Sequence, residues 1–439
     1  MALLAACTAD AQPTPTEGDA TASLITGAES PDQASPVDPR PGIETPGGSA
    51  EPPDGGPAPG DATESSPPQD TGASAAPGSS SQPGRRPGHE VFAFLNHYSL
   101  DAVEGRIEYD ALSHIAFFSL DVDRDGRFIK GTRAKPSPAW AAWTGKKMSR
   151  IIEEAHADGT KVVLTAARFA WTGIGRTDTI ALLSRPEARR RFAREIAAEV
   201  VARGVDGVNV DLEPVPDGQR KRFTSLIREV RAALDAARPG LELTFASIGF
   251  TDEYDLEALL APDAADAVFI MAYQYRGRWS EIAGSVAPMR TENFGIEQTL
   301  ESFLAGTTPA RIILGVPYYG WQWRTATNRL NARTLPANAR NGRSRPVFYE
   351  EAARLAEEHG STFDPEEVTA MVAYRARDCR GCPLLWRQAY FDDTRSLTWK
   401  YQYVKDRGLR GVGIWALGFE GSRSGELYQI LREAFGSSR

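Results

Sequence analysis

The stretch Asp206-Gly207-Val208-Asn209-Val210-Asp211-Leu212-Glu213 places a polar side chain at every second position from 209 to 213. In a β-strand, residues two apart point to the same face. One face of this strand would therefore carry an amide and two carboxyls, and the other would be apolar. Carboxyls buried side by side are costly unless they are paired or share a proton, so the pattern indicates acid–base chemistry. The common alternative for an Asp-x-Glu triplet is a strand end that simply faces water.

The 439-residue chain carries a net charge of −8 and is long enough for two or three domains, or for one large barrel with a tail. No basic run indicates nucleic-acid binding, and no run of about 20 apolar residues indicates a membrane span. The five histidines show no metal-ligand spacing, so we predict no metal site and no cofactor. We expect a monomer.

Cys379 and Cys382 form a Cys-Arg-Gly-Cys sequence inside a predicted loop. A zinc site would need a second cysteine pair, and a thioredoxin-type motif would need a following helix in a small domain. A short-loop disulfide in an exported protein is the favoured interpretation, and two free thiols are the alternative.

Leu4-Ala5-Ala6-Cys7 resembles a bacterial lipobox, in which the cysteine becomes a lipidated membrane anchor. Only six residues precede Cys7, and they contain no positive region and no full apolar region. We therefore expect residues 1–7 to be a truncated lipoprotein signal, with a chance match as the alternative. The domain would then be exported, either extracellular or in the cell envelope.

Residues 8–88 are rich in Pro, Gly, Ser, Thr and Ala, and no aromatic residue precedes Phe92. Such a segment cannot bury enough apolar area to offset its ordering entropy, so it is predicted to be a disordered linker. A spacer after a lipidation-type cysteine would hold a folded domain away from a membrane. A dispensable low-complexity arm is the alternative.

From residue 89 to 439, short β-rich runs alternate with amphipathic segments. The predicted strands are Val91–Leu95, His114–Leu120, Lys161–Ala166, Gly207–Leu212, Leu241–Ser247, Ala267–Tyr273, Ile312–Tyr318 and Gly411–Leu417. The predicted helices between them include Met148–Asp158, Pro186–Arg203, Gly218–Ala237 and Gly295–Ala305. Eight such strands favour an α/β fold of the (β/α)8 TIM-barrel type. A doubly wound open sheet is the alternative, weakened because no Gly-rich loop follows the first strand.

The long interval between the seventh and eighth strands predicts a small α+β insertion at about 324–395. It contains a helix at Tyr349–His359 and strands at Thr369–Ala376 and Leu384–Phe391. The helix that follows, Leu397–Arg407, is expected to be the barrel's own seventh helix. Insertions on the catalytic face of a barrel commonly wall a substrate groove.

With Asp-Gly-x-Asn-x-Asp-x-Glu on the fourth strand, the chain resembles glycoside hydrolase family 18, the chitinase-type family, whose strand reads Asp-Gly-x-Asp-x-Asp-x-Glu. Met271-Ala272-Tyr273-Gln274 resembles the family's Met-x-Tyr-Asp motif. Leu314-Gly315-Val316-Pro317-Tyr318-Tyr319-Gly320 and Gly413-Ile414-Trp415-Ala416-Leu417 resemble its segments on strands seven and eight.

Three departures from the family pattern bear on function. Asn209 and Gln274 stand where chitinases usually have aspartate, and strand three reads Leu164-Thr165-Ala166-Ala167-Arg168 in place of Ser-x-Gly-Gly. The asparagine form resembles a bacterial branch that includes spore-cortex and other peptidoglycan-directed glucosaminidases. The substrate implied is therefore a polysaccharide containing N-acetylglucosamine, either chitin or cell-wall glycan.

The resemblance implies substrate-assisted catalysis, in which the acetamido oxygen of the substrate is the nucleophile. Glu213 would protonate the leaving oxygen and then act as the base on water. Asp211 would hydrogen-bond the acetamido N–H and raise the pKa of Glu213 by its charge. Asn209 would hydrogen-bond Asp211 without being able to share a proton with it. Tyr273 would donate its hydroxyl to the acetamido oxygen, or else be an ordinary core tyrosine.

Aromatic side chains stack on the C–H face of a pyranose, and Trp415 would floor the cleaved subsite in this way. Its alternative role is barrel-core packing. Trp321 and Trp323 could bind sugar or simply pack. Gln274, Met271 and Phe94 are further substrate-binding candidates. The rival function is a non-hydrolytic, lectin-like barrel of the same family, which the retained carboxyls argue against.

Overall fold

The computed structural model describes residues 89–338 and 341–436. Its strands, in chain order, are β1 (Glu90–Asn96), β2 (His114–Asp121), β3 (Lys161–Phe169), β4 (Gly207–Glu213), β5 (Glu242–Ile248), β6 (Ala267–Met271), β7 (Ile312–Pro317), β8 (Tyr319–Thr325), β9 (Arg345–Phe348), β10 (Thr362–Asp364), β11 (Thr369–Ala376), β12 (Leu385–Phe391) and β13 (Gly411–Leu417). The α-helices are α1 (Leu100–Val103), α2 (Pro138–Trp143), α3 (Lys146–Asp158), α4 (Gly173–Ser184), α5 (Pro186–Arg203), α6 (Arg220–Ala237), α7 (Leu256–Leu259), α8 (Ile296–Leu304), α9 (Tyr349–His359), α10 (Thr394–Asp406) and α11 (Ser424–Phe435).

Eight strands close into a parallel barrel in the order β1-β13-β7-β6-β5-β4-β3-β2. Each strand pairs in parallel with both neighbours, and β1 joins β13 to close the ring. Helices of the alternating segments connect consecutive barrel strands, as a (β/α)8 barrel requires. The predicted TIM barrel is confirmed, and the alternative of an open doubly wound sheet is wrong.

The barrel strands are buried on both faces because helices cover them outside and neighbouring strands' side chains fill them inside. All seven residues of β4 are buried, and so are all seven of β13. The helices begin and end where the sequence allows. Pro186 occupies the first turn of α5, and the helix is capped after Arg203 by Gly204, which adopts the left-handed conformation with φ 68°.

The insertion between β7 and β13 forms a second, antiparallel sheet in the order β10-β11-β12-β8-β9. Its first strand, β8, begins at Tyr319, and only Tyr318 separates it from the end of β7 at Pro317. The sheet therefore starts earlier than the expected boundary near 324. Cys379 and Cys382, in the connection between β11 and β12, form a disulfide with their Cα atoms 5.1 Å apart.

The expected lipobox at Cys7 and the expected linker at 8–88 lie outside the described residues. In the described part of the chain, no helix is both long enough and apolar enough to cross a lipid bilayer.

Candidate active site

The alternating polar residues of β4 lie on the inner wall of the barrel. Asn209, Asp211 and Glu213 are 0%, 2% and 3% exposed, respectively. Their alternation puts the three side chains on one face of the strand, and Asp211 and Glu213 line the same pocket at the carboxyl end of the barrel. The end at which the strands terminate is the end where barrel enzymes place their active sites.

Asn209 lies deeper in the barrel than the two carboxyls. Its side-chain amide donates a hydrogen bond to the Thr244 hydroxyl on β5 over 2.8 Å. The described hydrogen bonds therefore connect Asn209 to β5, whereas the sequence interpretation directed it toward Asp211. Asn209 does not line the pocket.

The pocket combines aromatic walls with a few polar groups. Its lining consists of Phe94, Phe118, Asp211, Glu213, Ala246, Met271, Tyr273, Gln274 and Trp415. The Trp415 ring lies 4.6 Å from that of Phe118 and 5.5 Å from that of Phe94, centroid to centroid. This aromatic cluster forms an apolar wall beside two carboxyls, which suits a ligand with one apolar and one polar face.

Three polar atoms around this pocket are buried and have no hydrogen-bond partner: Asp211 Oδ1, Glu213 Oε1 and the Tyr273 hydroxyl. Native folds rarely leave buried polar atoms unpaired, because each costs about 1–3 kcal/mol. A ligand that pairs with all three would remove that cost. The arrangement is therefore typical of a functional site and not of a stabilising core.

Burial sets the protonation of the pair. Removal from water raises the pKa of Asp211, and it raises that of Glu213 further because the charge of Asp211 adds to the effect of burial. Burial also raises the pKa of Tyr273 well above its usual range, so its hydroxyl keeps its proton. The pocket thus contains a proton donor, Glu213, next to a second carboxyl and a phenol.

Tyr273 and Gln274 follow β6, which ends at Met271, two residues before the predicted end of that strand. Gln274 adopts a left-handed backbone with φ 65°, uncommon for a residue with a side chain and often found at functional sites. The Tyr273 ring lies 6.3 Å from that of Tyr319 on β8, centroid to centroid. The insertion sheet therefore contributes to the wall behind Tyr273.

The two tryptophans of β8 differ from the pocket residues. Trp323 is fully buried, and its indole N–H donates to the carbonyl of Gly277, so it packs inside the protein. Trp321 is 5% exposed and is not part of the pocket lining. The structure therefore brings together all the predicted catalytic and binding side chains except Asn209, Trp321 and Trp323.

Phe118 and Ala246 line the pocket although sequence reasoning did not single them out. Phe118 stands near the end of β2 and Ala246 near the end of β5. Position alone could have identified them, because inward residues at the carboxyl ends of barrel strands surround the mouth. In the described ranges, no group of three or more His, Cys, Asp or Glu side chains is arranged to hold a metal ion.

A larger cavity, of about 800 Å³, lies at the opposite, amino-terminal end of the barrel. Its charged groups are paired with each other: His114 with Glu242 at 2.7 Å, and Arg410 with Glu90 at 2.8 Å. Charge pairs at this end of a barrel serve stability, and catalysis belongs to the other end. The smaller pocket around Glu213 is therefore the candidate active site despite its size.

Comparison with known proteins agrees with this geometry. The chain is 30% identical over 243 residues to the Bacillus subtilis (strain 168) protein YdhD, whose name describes a sporulation-specific glycosylase; the match covers 54% of this chain and 52% of that one. It is 24% identical over 246 residues to the cortical fragment-lytic enzyme of the same organism, covering 54% and 52%. The chain thus spans about half the length of these curated relatives.

Among solved structures, a Cycas revoluta GH18 chitinase variant in complex with (GlcNAc)4 superposes with a TM-score of 0.64 at 22% identity. The match covers 79% of this chain and 100% of that one, and shows a common fold. The family model "Glycosyl hydrolases family 18" matches residues 93–420, which include the whole pocket and the insertion. The chain therefore belongs to glycosyl hydrolase family 18.

Proposed function

We propose that this chain hydrolyses β-1,4 bonds next to N-acetylglucosamine in a glycan of the chitin or peptidoglycan type. The observation that supports this most is the convergence of Glu213, Asp211 and Tyr273 in one pocket beside the Trp415 indole. Each of the three polar side chains has a buried atom left unpaired by the fold. A sugar ring stacked on the indole would place its acetamido group among them.

Glu213 is the proposed acid. Burial and the charge of Asp211 raise the pKa of Glu213, which favours the protonated carboxyl that a general acid requires. The proton passes to the glycosidic oxygen as the bond from that oxygen to the anomeric carbon breaks. The carboxylate that remains then accepts a proton from the water that completes the reaction.

The acetamido oxygen of the substrate is the proposed nucleophile, because the pocket offers no second carboxyl for direct attack once Asp211 is engaged. Asp211 accepts a hydrogen bond from the acetamido N–H of the substrate and so turns the acetamido carbonyl oxygen toward the anomeric carbon. Tyr273 donates its hydroxyl to the same acetamido oxygen, whose charge changes as the new bond forms. Two inversions in sequence give a product with retained configuration.

The decisive experiment is the isosteric variant Glu213→Gln. It should keep the thermal unfolding profile of the parent and lose turnover of a chromogenic chitobioside and of purified peptidoglycan. Its matched control is Glu199→Gln, which alters a carboxyl on helix α5 that accepts from the Trp143 indole. Parent-like turnover by Glu213→Gln would reject the proposal. A folded parent that binds N-acetylglucosamine oligomers without releasing reducing ends would instead establish the lectin-like alternative.

The choice of glycan needs its own assay. The names of the two Bacillus relatives favour a cell-wall substrate, and the solved chitinase relative favours chitin. Digestion of purified chitin and purified peptidoglycan in parallel, with products identified by mass, separates the two. We expect release of N-acetylglucosamine-terminated fragments from at least one of them.

We further propose that the enzyme works outside the cytoplasm, tethered through Cys7. The support is the Leu-Ala-Ala-Cys sequence, the Pro- and Gly-rich stretch behind it, and the Cys379–Cys382 disulfide, a bond typical of oxidising compartments. Mass spectrometry of the native N-terminus should detect a diacylglyceryl group on Cys7. An unmodified Cys7 in protein recovered from membranes would reject the tether.

A further inference from the structure

Tyr273 and Gln274 lie on a long irregular loop between β6 and α8. All 24 residues of this β6–α8 loop, 272–295, are described, and they form neither helix nor strand apart from one bridge between Ile282 and Arg333. Loops this long without secondary structure are uncommon in compact domains, and a few buried contacts decide whether they stay ordered. The position of Tyr273 in the pocket therefore depends on what fixes this loop.

One residue of the insertion provides three contacts to the β6–α8 loop. Glu367 stands between β10 and β11, and its side chain is 4% exposed. One oxygen of its carboxylate pairs with the Arg276 guanidinium at 2.7 Å, and the other accepts the backbone N–H of Ser285 at 2.6 Å. The backbone carbonyl of Glu367 accepts the N–H of Met289 at 3.0 Å. Glu367 thus contacts the loop near its start, in its middle and toward its end.

The turn that carries Glu367 is itself held in one conformation. The buried Asp364 side chain accepts the backbone N–H of Glu367 at 3.1 Å. Val368, the next residue, adopts φ 53°, which a β-branched residue avoids unless its surroundings impose it. On the other side of the ion pair, Gln274 adopts φ 65° two residues before Arg276. Strained backbone therefore flanks both partners of the pair, as it does where surrounding contacts over-determine a functional segment.

Two further hydrogen bonds join the same loop to the insertion. The Trp323 indole donates to the carbonyl of Gly277 at 3.0 Å, and the N–H of Ala283 donates to the carbonyl of Ala332 at 3.0 Å. Each of these fixes one point of the loop, whereas Glu367 fixes three. A neutral hydrogen bond also contributes less than a charge-assisted one, so Glu367 is the stronger support.

The packing around the ion pair leaves no space for a side chain at Gly284. A Cβ atom there would lie 2.1 Å from Arg276 Nη1 and 2.9 Å from Glu367 Oε2. The guanidinium would have to move although both charges remain. Gly284→Ala therefore perturbs the geometry of the pair separately from its charge.

We propose that Glu367 is a positioning residue for Tyr273 in the hydrolysis proposed above. Through Arg276 and Ser285 it holds the β6–α8 loop in the shape that directs the Tyr273 hydroxyl into the pocket. Glu367 does not line the pocket, so it acts without touching the substrate. A misplacement of the hydroxyl by about 1 Å is enough to cost about 100-fold in rate. The proposal rests on the glycan-hydrolysing function, because only that function gives the hydroxyl its task.

The decisive measurement is a double-mutant cycle on kcat between Glu367→Gln and Tyr273→Phe. Glu367→Gln alone should lower kcat for a chromogenic chitobioside about 10- to 100-fold, with a smaller change in KM. In a Tyr273→Phe background the same substitution should change kcat by less than about 3-fold, because the hydroxyl that it misplaces is already absent. Parent-like kcat in Glu367→Gln, or equal losses in both backgrounds, would overturn the proposal.

Companion variants separate positioning from stability, with kcat measured below the unfolding temperature of every protein. Glu367→Asp should recover part of the lost kcat, and Gly284→Ala should lower kcat although it keeps both charges. The matched control Glu229→Gln removes the partner of Arg189, whose side chain is 11% exposed, as is that of Arg276. It should lose stability and keep the parent kcat, and an equal kcat loss there would overturn the proposal. If Glu367→Gln does not fold, Gly284→Ala takes its place in the cycle with the same expectations.

Hydrogen exchange followed by mass spectrometry tests the hold on the loop without turnover. Glu367→Gln should accelerate exchange in peptides from 272–289 and leave those from β3 unchanged. Unchanged exchange in the loop of an enzyme that hydrolyses glycan would overturn the positioning role and leave the proposed function intact. In a protein that hydrolyses no glycan, faster exchange confined to the loop would overturn the proposed function and support the hold of Glu367 on the loop.

Discussion

Asp211 and Glu213 are two residues apart on one strand, 2% and 3% exposed, and each leaves one carboxyl oxygen without a partner. Both carboxyls are therefore held in a low-dielectric pocket, which penalises their charged forms. Such a pair lowers the stability of the empty protein, since the unfolded chain solvates both groups. In the pocket, a substrate that pairs with these oxygens can offset this cost.

The first prediction concerns stability against pH. Burial raises the pKa of Asp211 in the folded protein, so the unfolded chain loses this proton at a lower pH than the folded protein does. The free energy of unfolding should therefore fall as pH rises from about 4, where Asp211 titrates in the unfolded chain, through the raised pKa of the folded protein. Asp211→Asn cannot ionise, so its melting temperature should exceed that of the parent by a few degrees at pH 8 and match it at pH 4. Asp217→Asn, which changes a side chain 83% exposed, is the control. A gap between Asp211→Asn and parent that stays constant with pH would contradict this explanation.

The second prediction concerns Asn209. Its amide donates to Thr244 and adds no charge near Asp211. Asn209→Asp introduces a third buried carboxyl on the same face, which should raise the pKa of Asp211 relative to the parent. Carboxyl-carbon NMR titration of the two proteins measures the difference. Superimposable Asp211 titration curves would refute the idea that asparagine keeps Asp211 anionic over a wider pH range.

The third prediction concerns the Tyr273 hydroxyl, which is buried and unpaired. Tyr273→Phe should lower kcat about 10²- to 10³-fold, with a smaller change in KM, since the hydroxyl acts on charge that changes during reaction. The same variant should be no less stable than the parent, because it removes an unsatisfied polar group. A large loss of stability would show instead that Tyr273 serves the core. Kinetics and thermal unfolding of one preparation separate the two outcomes.

The fourth prediction concerns an ion pair between the barrel and the insertion. Arg276, two residues after Gln274, pairs with Glu367 at 2.7 Å, and Glu367 also accepts the backbone N–H of Ser285 at 2.6 Å. Glu367→Gln leaves Arg276 buried without a counter-charge and should cost about 3–5 kcal/mol of unfolding free energy. Restoring a short partner with Glu367→Asp should recover part of it. Denaturant unfolding should rank the parent as the most stable protein, Glu367→Asp next and Glu367→Gln last. Equal stability of parent and Glu367→Gln would contradict this prediction.

The fifth prediction concerns stereochemistry. Attack by the acetamido oxygen followed by water gives two inversions, so the first-formed reducing end should be the β-anomer. Proton NMR within the first minutes of digestion, before mutarotation, reads this directly. An initial α-anomer would require water to attack the substrate itself, and would exclude the acetamido route while leaving Glu213 as the acid.

The barrel could be predicted because its signals are local. Runs of five to seven residues rich in apolar side chains predicted the barrel strands, and Pro186 and Gly204 marked the ends of α5. The polar face of β4 could be predicted because its polar residues recur at every second position. Family motifs then gave Tyr273, Gln274 and Trp415, which the fold brings to one pocket.

The first strand of the insertion was missed although its pattern was present. Tyr319, Trp321 and Trp323 alternate with Gly320 and Gln322, which is the period of a half-buried strand. Their closeness to the motif on strand seven favoured an interpretation as cleft residues. In the structure Trp323 packs instead, through a hydrogen bond to Gly277.

Other features depend on contacts that no local pattern encodes. The Asn209–Thr244 hydrogen bond joins residues on neighbouring strands, and the Arg276–Glu367 pair joins a barrel loop to the insertion. Only the closed ring of strands determines which of these residues become neighbours.

A single residue, Tyr318, separates the last residue of β7 from the first of β8. The insertion sheet behind Tyr273 thus continues the chain of β7 with almost no linker. At its other end the chain enters α10, where Lys400 is buried and pairs with Asp392. Transfer of the insertion to a related barrel would therefore have no flexible linker at residue 318 in which to place the junction. The transferable block is the whole of 319–406, and recipients would also have to supply the carbonyl of Ala287 that Lys400 contacts.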